Sequence, residues 1–311
     1  MRAKIMIRLP LAGVINFPQG RCMFHLKSIS KGFVRAKLLR NQFLIAGDQF
    51  SAVQAALQRF FEAPQDCTTL DPLEETRGVY LLEGTQQWVL KYNHLTSWKK
   101  QLSNFFGKKK SYGLHDLTNE FINLQRINPA ADFVPRVAAY GYRTRRLFFL
   151  KEEYLLVNFF ADHCDVDKRL QSNPEQAEQL LEQIFELFSR MLALGFCHLD
   201  PHPKNILIGP DQQLRLIDFE CCAHQVLEQN FALGFLHGYF YTYWFQRFIS
   251  KERYHHVSDS YLRRAHPALK RSVFEPVYLR FRDHKVSRTT RYSVMTSLPA
   301  QQAFCEKLNG R

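Results

Sequence analysis

Apolar positions follow two different rhythms along this chain. Around residues 78–92 they gather in two short runs, GVYLLE and QWVLKY, split by Gly84-Thr85, and this spacing predicts an antiparallel hairpin. Beyond residue 173 they recur every three to four positions. Leu180, Leu181, Ile184, Leu187, Phe188, Met191 and Leu192 fall on one face of a long helix that Asn173 caps, Pro174 opens and Gly195 closes. Helices are also predicted over 51–61, ended by Pro64, and over DLTNEFINLQRI, where Leu117, Phe121, Leu124 and Ile127 align before Val134-Pro135 breaks the pattern. Short strands follow at 137–140, 147–151, Ile206–Ile208 and 214–217, the last two joined by Gly209-Pro210-Asp211. The tract FALGFLHGYFYTYWFQRF then reads as helix, while the first 70 residues show little beyond their one helix. A strand-rich part carrying one helix thus precedes a helix-rich part. This order predicts an α+β chain of two lobes with a cleft between them, joined near Glu152, Glu153, Tyr154 and Leu155. The expected divisions are 1–70, an extension and the start of the first lobe; 71–153, the rest of that lobe; and 154–311, the second lobe.

The 311 residues, 46% of them hydrophobic, are ample for a core and exclude disorder as the dominant state. No run approaches the roughly 18 apolar residues of a membrane-spanning helix. Seven cysteines, an odd number without a CxxC pair, argue against a disulfide framework or zinc ribbon and favour a reducing compartment. Arg8 and Pro10 interrupt the apolar start, so no signal peptide is read and a cytoplasmic protein is expected. The spacing of His163, Cys164, Cys197, His198 and His202 matches no ordinary zinc pattern.

Charge adds a preference for anions. The net charge is +13, and nine Lys/Arg between 262 and 292 (Arg263, Arg264, Lys270, Arg271, Arg280, Arg282, Lys285, Arg288, Arg291) face only Glu275 and Asp283. A second cluster, Lys99, Lys100, Lys108, Lys109 and Lys110, flanks Leu95, Trp98, Leu102, Phe105 and Phe106 at helical spacing. That pattern predicts a basic amphipathic helix able to lie on an anionic membrane surface. No nucleic-acid recognition motif accompanies the charge, and no nucleic-acid partner is expected.

The chemistry concentrates in HLDPHPKN. Asp200 follows His198 by two residues, Asn205 stands five beyond Asp200, and Asp218 of LIDFE stands thirteen beyond Asn205. Phosphoryl transfer from a nucleotide needs a carboxylate to meet the acceptor hydroxyl, and oxygen side chains to hold Mg²⁺ against the phosphates. Asp200 suits the first task, Asn205 and Asp218 the second, and H-x-D-x-x-x-x-N with D-F is the spacing of protein kinases. Lys91, ending the apolar WVLK, is placed to reach the nucleotide phosphates, and Glu120 on the next helix to pair with it. His198 is expected to brace the loop.

Here the chain resembles the lipopolysaccharide core kinases, the Kdo and heptose kinases of protein-kinase-like fold. The resemblance rests on EETRGVYLLEGTQQWVLKYN, the basic insert, the E-x-x-x-L helix with its following V-P, Asp200-Pro201-His202 after His198-Leu199, and FLKEEYL. It implies ATP and Mg²⁺ as cofactors and a sugar hydroxyl of the inner core as acceptor. It also implies a hinge at Glu152, Glu153, Tyr154 and Leu155 whose backbone holds adenine. An anionic, lipid-linked substrate further implies peripheral attachment to the cytoplasmic face of the inner membrane. Departures exist: no G-x-G-x-x-G precedes Lys91, leaving Thr76, Arg77 and Gly78 to cover the nucleotide. Glu220 replaces the glycine of D-F-G, and Asn230 stands where a helix aspartate would anchor the loop. The rival readings are a small-molecule kinase of the aminoglycoside or choline type, and a pseudokinase that binds without transferring phosphate.

Overall fold

A seven-stranded antiparallel sheet forms the first part of the chain in the computed structural model, which describes residues 30–74, 76–97, 117–145 and 149–310. Its strands are β1 (Phe33–Leu38), β2 (Asn41–Ala46), β3 (Thr68–Glu74), β4 (Arg77–Leu82), β5 (Trp88–His94), β6 (Val137–Arg145) and β7 (Phe149–Asn158), arranged β1-β2-β6-β7-β5-β4-β3. The hairpin predicted around Gly84 is β4–β5, with Leu82 opposite Trp88 and Val79 opposite Lys91. Helix α1 (Phe50–Glu62) covers one sheet face with Val53, Ala56, Leu57 and Phe60, which join Phe43, Ile45, Trp88 and Leu90 in a compact apolar cluster.

Three strands escaped the sequence pattern for identifiable reasons. β1 and β2 meet through a two-residue turn at Leu39-Arg40, and Leu39 adopts φ +54° where glycine or asparagine usually stands. β3 carries Pro72 and register shifts, features that only an edge strand accommodates. β6 and β7 run longer than the short strands expected, because charged positions pair across the ladder: Arg143 lies opposite Glu152, with Nη1 3.2 Å from Oε1. The sheet therefore begins well before residue 71, and the join expected near 152–155 lies inside β7.

Helix α2 (Leu117–Arg126) packs on β6 and β7 through Leu117, Phe121, Ile122 and Leu124. Residues 98–116, with most of the basic amphipathic segment, lie outside the described residues. Leu95, assigned to that segment, is buried instead and donates its N–H to the Lys151 carbonyl, so it prolongs the sheet.

The second part is helical. The two-residue strand β8 (Cys164–Asp165) and α3 (Val166–Ser172) precede a 3₁₀ turn at Pro174–Gln176, and only then α4 (Ala177–Ala193). Asn173 thus precedes the turn rather than capping the long helix, and its side-chain amide donates back to the Arg169 carbonyl at the end of α3. The apolar face of α4 is buried as its spacing predicts, joined by Phe185. Short strands β9 (Phe196–His198), β10 (Ile206–Ile208), β11 (Leu214–Leu216) and β12 (Cys222–His224) carry the loops of the site; β10 pairs with β11 and β9 with β12. Helix α5 (Gln229–Tyr243) is buried all round from Phe231 to Thr242, as an aromatic helix without a polar face must be. Four helices follow: α6 (Lys251–Ala265), α7 (Arg271–Asp283), α8 (Arg288–Thr296) and α9 (Leu298–Asn309). Helices α5 and α7 approach closely because Gly234 and Gly238 lack side chains; a Cβ on Gly238 would lie 2.5 Å from the Tyr278 carbonyl oxygen. The α+β order expected from the sequence, sheet first and helices second, is what the structure has.

Part of the basic cluster is neutralised internally. Arg263 and Arg271 both reach Asp259, Arg264 reaches Glu182, and Arg282 reaches Asp283. Among the described residues the cysteines Cys67, Cys164, Cys197, Cys221, Cys222 and Cys305 are free thiols, and no helix is long and apolar enough to cross a membrane.

Candidate active site

Lys91 lies in the interior of the sheet, opposite Val79 on β4 and Leu155 on β7. Its ammonium stands 2.7 and 2.8 Å from the two oxygens of Glu120, and 3.7 Å from Asp218 Oδ1. Burial works against the charge on Lys91, but Glu120 and Asp218 outweigh it and raise the lysine above its ordinary pKa. Burial pushes Glu120 up as well, opposed by Lys91. The Phe219 N–H also donates to Glu120 Oε1 at 3.3 Å, tying the carboxylate to the segment that carries Asp218.

The helix bearing Glu120 is held from the sheet by Glu153. The Thr118 N–H donates to Glu153 Oε1 at 3.2 Å, the Thr118 hydroxyl donates to the same oxygen, and Asn93 Nδ2 reaches Oε2 at 3.4 Å. A carboxylate at the first turn of a helix meets its unpaired amides and the positive end of its dipole. From its far end, Asn123 donates to the Phe219 carbonyl at 2.7 Å and contacts His224 at 3.1 Å.

The expected hinge must be corrected. Glu152, Glu153, Tyr154 and Leu155 are paired on one side with His94 to Lys91 and on the other with Arg143 to Tyr140. Their backbone groups belong to two ladders, so none is left for adenine. Their side chains are committed too: Glu152 accepts from Arg143 and from the Tyr154 hydroxyl, Glu153 caps α2, and Leu155 is fully buried. The chain leaves the sheet only after Asn158, and residues 159–163 cross to the helical part. The charged Lys151-Glu152-Glu153 looked like a strand end, whereas cross-strand and capping contacts keep it inside one. Thr76 and Arg77 lie at the tip between β3 and β4, two positions past Lys91 in register, where Arg77 faces Asn93.

On the helical side, β9 delivers His198 fully buried. Its Nε2 lies 3.2 Å from the Ile217 carbonyl and 2.9 Å from the Asp218 carbonyl, while Nδ1 accepts the Asp200 N–H at 3.1 Å. Those partners require the neutral Nε2–H tautomer, and burial lowers the His198 pKa in the same sense. The imidazole therefore braces Asp200 to Asp218 from beneath. Asp218 sits at φ +65°, a left-handed conformation that aspartate tolerates better than most residues. Burial would raise its pKa, but the Lys91 ammonium, the largest opposing influence, holds it below the ordinary carboxylate value. Asn205 Nδ2 donates to the Asp200 carbonyl at 3.1 Å, which directs the amide oxygen the other way.

One residue has a role that no local motif announced. Tyr239 on α5 donates its hydroxyl to Asp200 Oδ1 at 2.6 Å, fixing one carboxylate oxygen. In the sequence Asn230 takes the place of an anchoring helix aspartate, which leaves the loop's brace open. The structure turns Asn230 toward Glu228 and the Lys270 N–H instead, so Tyr239 does the anchoring from the same helix. In a tract as aromatic as GYFYTYWF nothing distinguishes the one tyrosine whose hydroxyl turns to the cleft.

The arrangement thus gathers Lys91, Glu120, Asp218, Asn205, His198 and Asp200 between sheet and helices. Comparison with known proteins bears on it. The sequence model of the lipopolysaccharide kinase (Kdo/WaaP) family matches residues 68–261. Over 80 residues, 26% of this chain, the sequence is 34% identical to the maternal embryonic leucine zipper kinase of Xenopus laevis, of whose length the match spans 12%. Among solved structures, WbdD in complex with the kinase inhibitor LY294002 is similar with a TM-score of 0.36 at 20% identity, over 53% of this chain and 35% of that one. Monomeric WbdD gives a TM-score of 0.34 at 20% identity, over 48% and 33%.

Proposed function

This chain belongs to the lipopolysaccharide kinase (Kdo/WaaP) family, and from that premise we propose that it transfers the γ-phosphoryl group of ATP to a sugar hydroxyl of the lipopolysaccharide inner core, on a Kdo or heptose residue. The observation that carries the reading is the Lys91–Glu120 pair at 2.7 Å, set across the cleft from Asp200 and 3.7 Å from Asp218.

On this reading Asp200 accepts the proton of the acceptor hydroxyl, oriented by Tyr239 and by the His198 imidazole behind it. Lys91 meets the α- and β-phosphates, and Glu120 keeps its ammonium pointed into the cleft. The donor set fits Mg²⁺: Asp218 offers a hard carboxylate and Asn205 an amide oxygen. Among the described residues no cluster of three or more His, Cys, Asp or Glu could hold a metal unaided. Magnesium customarily takes one or two protein oxygens and completes its shell with phosphates and water. When bound, it would neutralise charge on the phosphates. Asp218, kept ionised by Lys91, and Asn205, held by the Asp200 carbonyl, supply the fixed ligands. The turn at Thr76 and Arg77 covers the phosphates, and residues 159–163 replace 152–155 as the hinge against adenine.

A lipid-linked, anionic acceptor also makes the protein a peripheral one at the cytoplasmic face of the inner membrane. The net charge of +13 and exposed lysines such as Lys270 and Lys285 support this part of the reading.

The test is transfer itself. Protein incubated with γ-labelled ATP, Mg²⁺ and a purified lipid-linked inner-core acceptor should move label into the lipid fraction, and chelation of the metal should stop it. ATP binding without any transfer would favour the pseudokinase. Label appearing on an aminoglycoside or choline, and not on the lipid, would favour the small-molecule kinase.

A further inference from the structure

Arg291 is a buried cation with unmet hydrogen-bonding capacity. The residue is 8% exposed, and its Nε and Nη1 meet no hydrogen-bond partner. The guanidinium lies 4.3 Å from the ring centre of Tyr239 and 4.9 Å from that of Tyr243. These rings stabilise the charge through their faces, and the Tyr239 hydroxyl lies within reach of the guanidinium, but Nε and Nη1 remain without an acceptor. Tyr239 is also the residue whose hydroxyl holds Asp200, so the orphaned donors stand one aromatic ring from the proposed base.

The placement is built rather than incidental. The Tyr243 hydroxyl donates to the Val286 carbonyl at 2.7 Å and accepts the Val286 N–H at 3.1 Å, fixing the chain that enters α8 against α5. Ser287 then caps α8 by accepting the Thr290 N–H. One turn before Arg291, Arg288 donates to Cys221 Sγ at 2.8 Å, beside the segment that follows Asp218. Residues three apart on a helix share a face, so both guanidinium groups look the same way. Leaving N–H groups of a buried guanidinium unmade is costly, and a planar fork of donors is the usual receptor for carboxylate or phosphate.

We propose that Arg291, with Arg288 beside it, forms an acceptor subsite that binds a carboxylate or phosphate on the sugar whose hydroxyl meets Asp200. The proposal rests on the kinase reading above and gives that acceptor its charge. The nucleotide phosphates belong on the Lys91 side of Asp218, whereas Arg291 packs on Tyr239, the ring whose hydroxyl reaches Asp200. A cationic acceptor would be repelled from this position.

Two pairs of probes separate the possible anions: Kdo methyl glycoside against its methyl ester, and a heptose phosphate against the unphosphorylated heptose. Calorimetric titration with Mg²⁺ and a non-transferable ATP analogue gives affinities, and steady-state assays give KM for each substrate. At least one charged probe should bind on the order of 10–100-fold more tightly than its neutral partner, as expected for charge-assisted hydrogen bonds. Arg291→Met should bring that ratio close to one and raise the acceptor KM without a matching change in the ATP KM. Arg291→Lys should keep part of the ratio. If Arg291→Met does not fold, the wild-type ratio and Arg291→Lys decide the question. Equal binding of charged and neutral probes with transfer intact would overturn the subsite and spare the kinase. So would a parallel loss for ATP, which would place Arg291 on the nucleotide. A charge-dependent, Arg291-dependent affinity without transfer to any acceptor would overturn the kinase reading and leave the subsite standing.

Discussion

Asp200→Asn should lower turnover by roughly 10²–10⁴-fold, the usual loss when a positioned general base is removed. The substitution preserves shape. Its side-chain carbonyl still accepts from the Tyr239 hydroxyl, and its backbone keeps the bonds to His198 and Asn205. Thermal stability should therefore change little, and nucleotide affinity should stay within about twofold, because Lys91 and Asp218 are untouched. A loss confined to kcat is what distinguishes a base from a ligand-holding residue. Asp218→Asn should weaken Mg²⁺-nucleotide binding and turnover together. Full activity of Asp200→Asn with purified components would remove the catalytic role from this loop.

The second large effect concerns the Lys91–Glu120 pair, whose carboxylate is only 1% exposed. Lys91→Met leaves Glu120 without its nearest cation in a buried setting, and such a break costs on the order of 3 kcal/mol of stability. Glu120→Gln keeps an oxygen for the Phe219 N–H but frees the ammonium to swing toward Asp218, 3.7 Å away. Each single variant should lose turnover by about 10²-fold, an effect of the size expected when a phosphate-binding charge is misplaced. The double variant should be no slower than the poorer single and more stable than Lys91→Met, since no unpaired buried carboxylate remains. Rates and urea midpoints of the four proteins provide the cycle. Simple multiplication of the two rate losses would mean that the residues act independently.

The sequence made these residues legible to different degrees. Asp200, Asn205 and Asp218 sit within nineteen positions of one another on short strands and tight turns, where local spacing alone predicts proximity. Lys91 and Glu120 were legible through chain order, an apolar strand and then an amphipathic helix, and the structure brings them into contact across 29 positions. The hinge was misplaced because charged residues in a central strand look like the end of a strand. Glu152 and Glu153 remain inside β7 only through Arg143, Tyr154, Thr118 and Asn93, partners that pattern reading does not supply. Tyr239 and Arg291 were illegible for a similar reason: one is a tyrosine among many, the other one of nine basic residues, and only tertiary packing sets Tyr239 on Asp200 and Arg291 on Tyr239. β1 and β3 were lost to chemistry that breaks the usual rules, a leucine at positive φ and a proline on an edge.

The most direct test of the central claim is the mass of the inner-core oligosaccharide from cells that lack this gene, complemented with wild type or with Asp200→Asn. The account predicts core lighter by the mass of one phosphate in the deletion, restored by the wild-type chain and left light by Asp200→Asn. Core of unchanged mass in the deletion, or full restoration by Asp200→Asn, would contradict it.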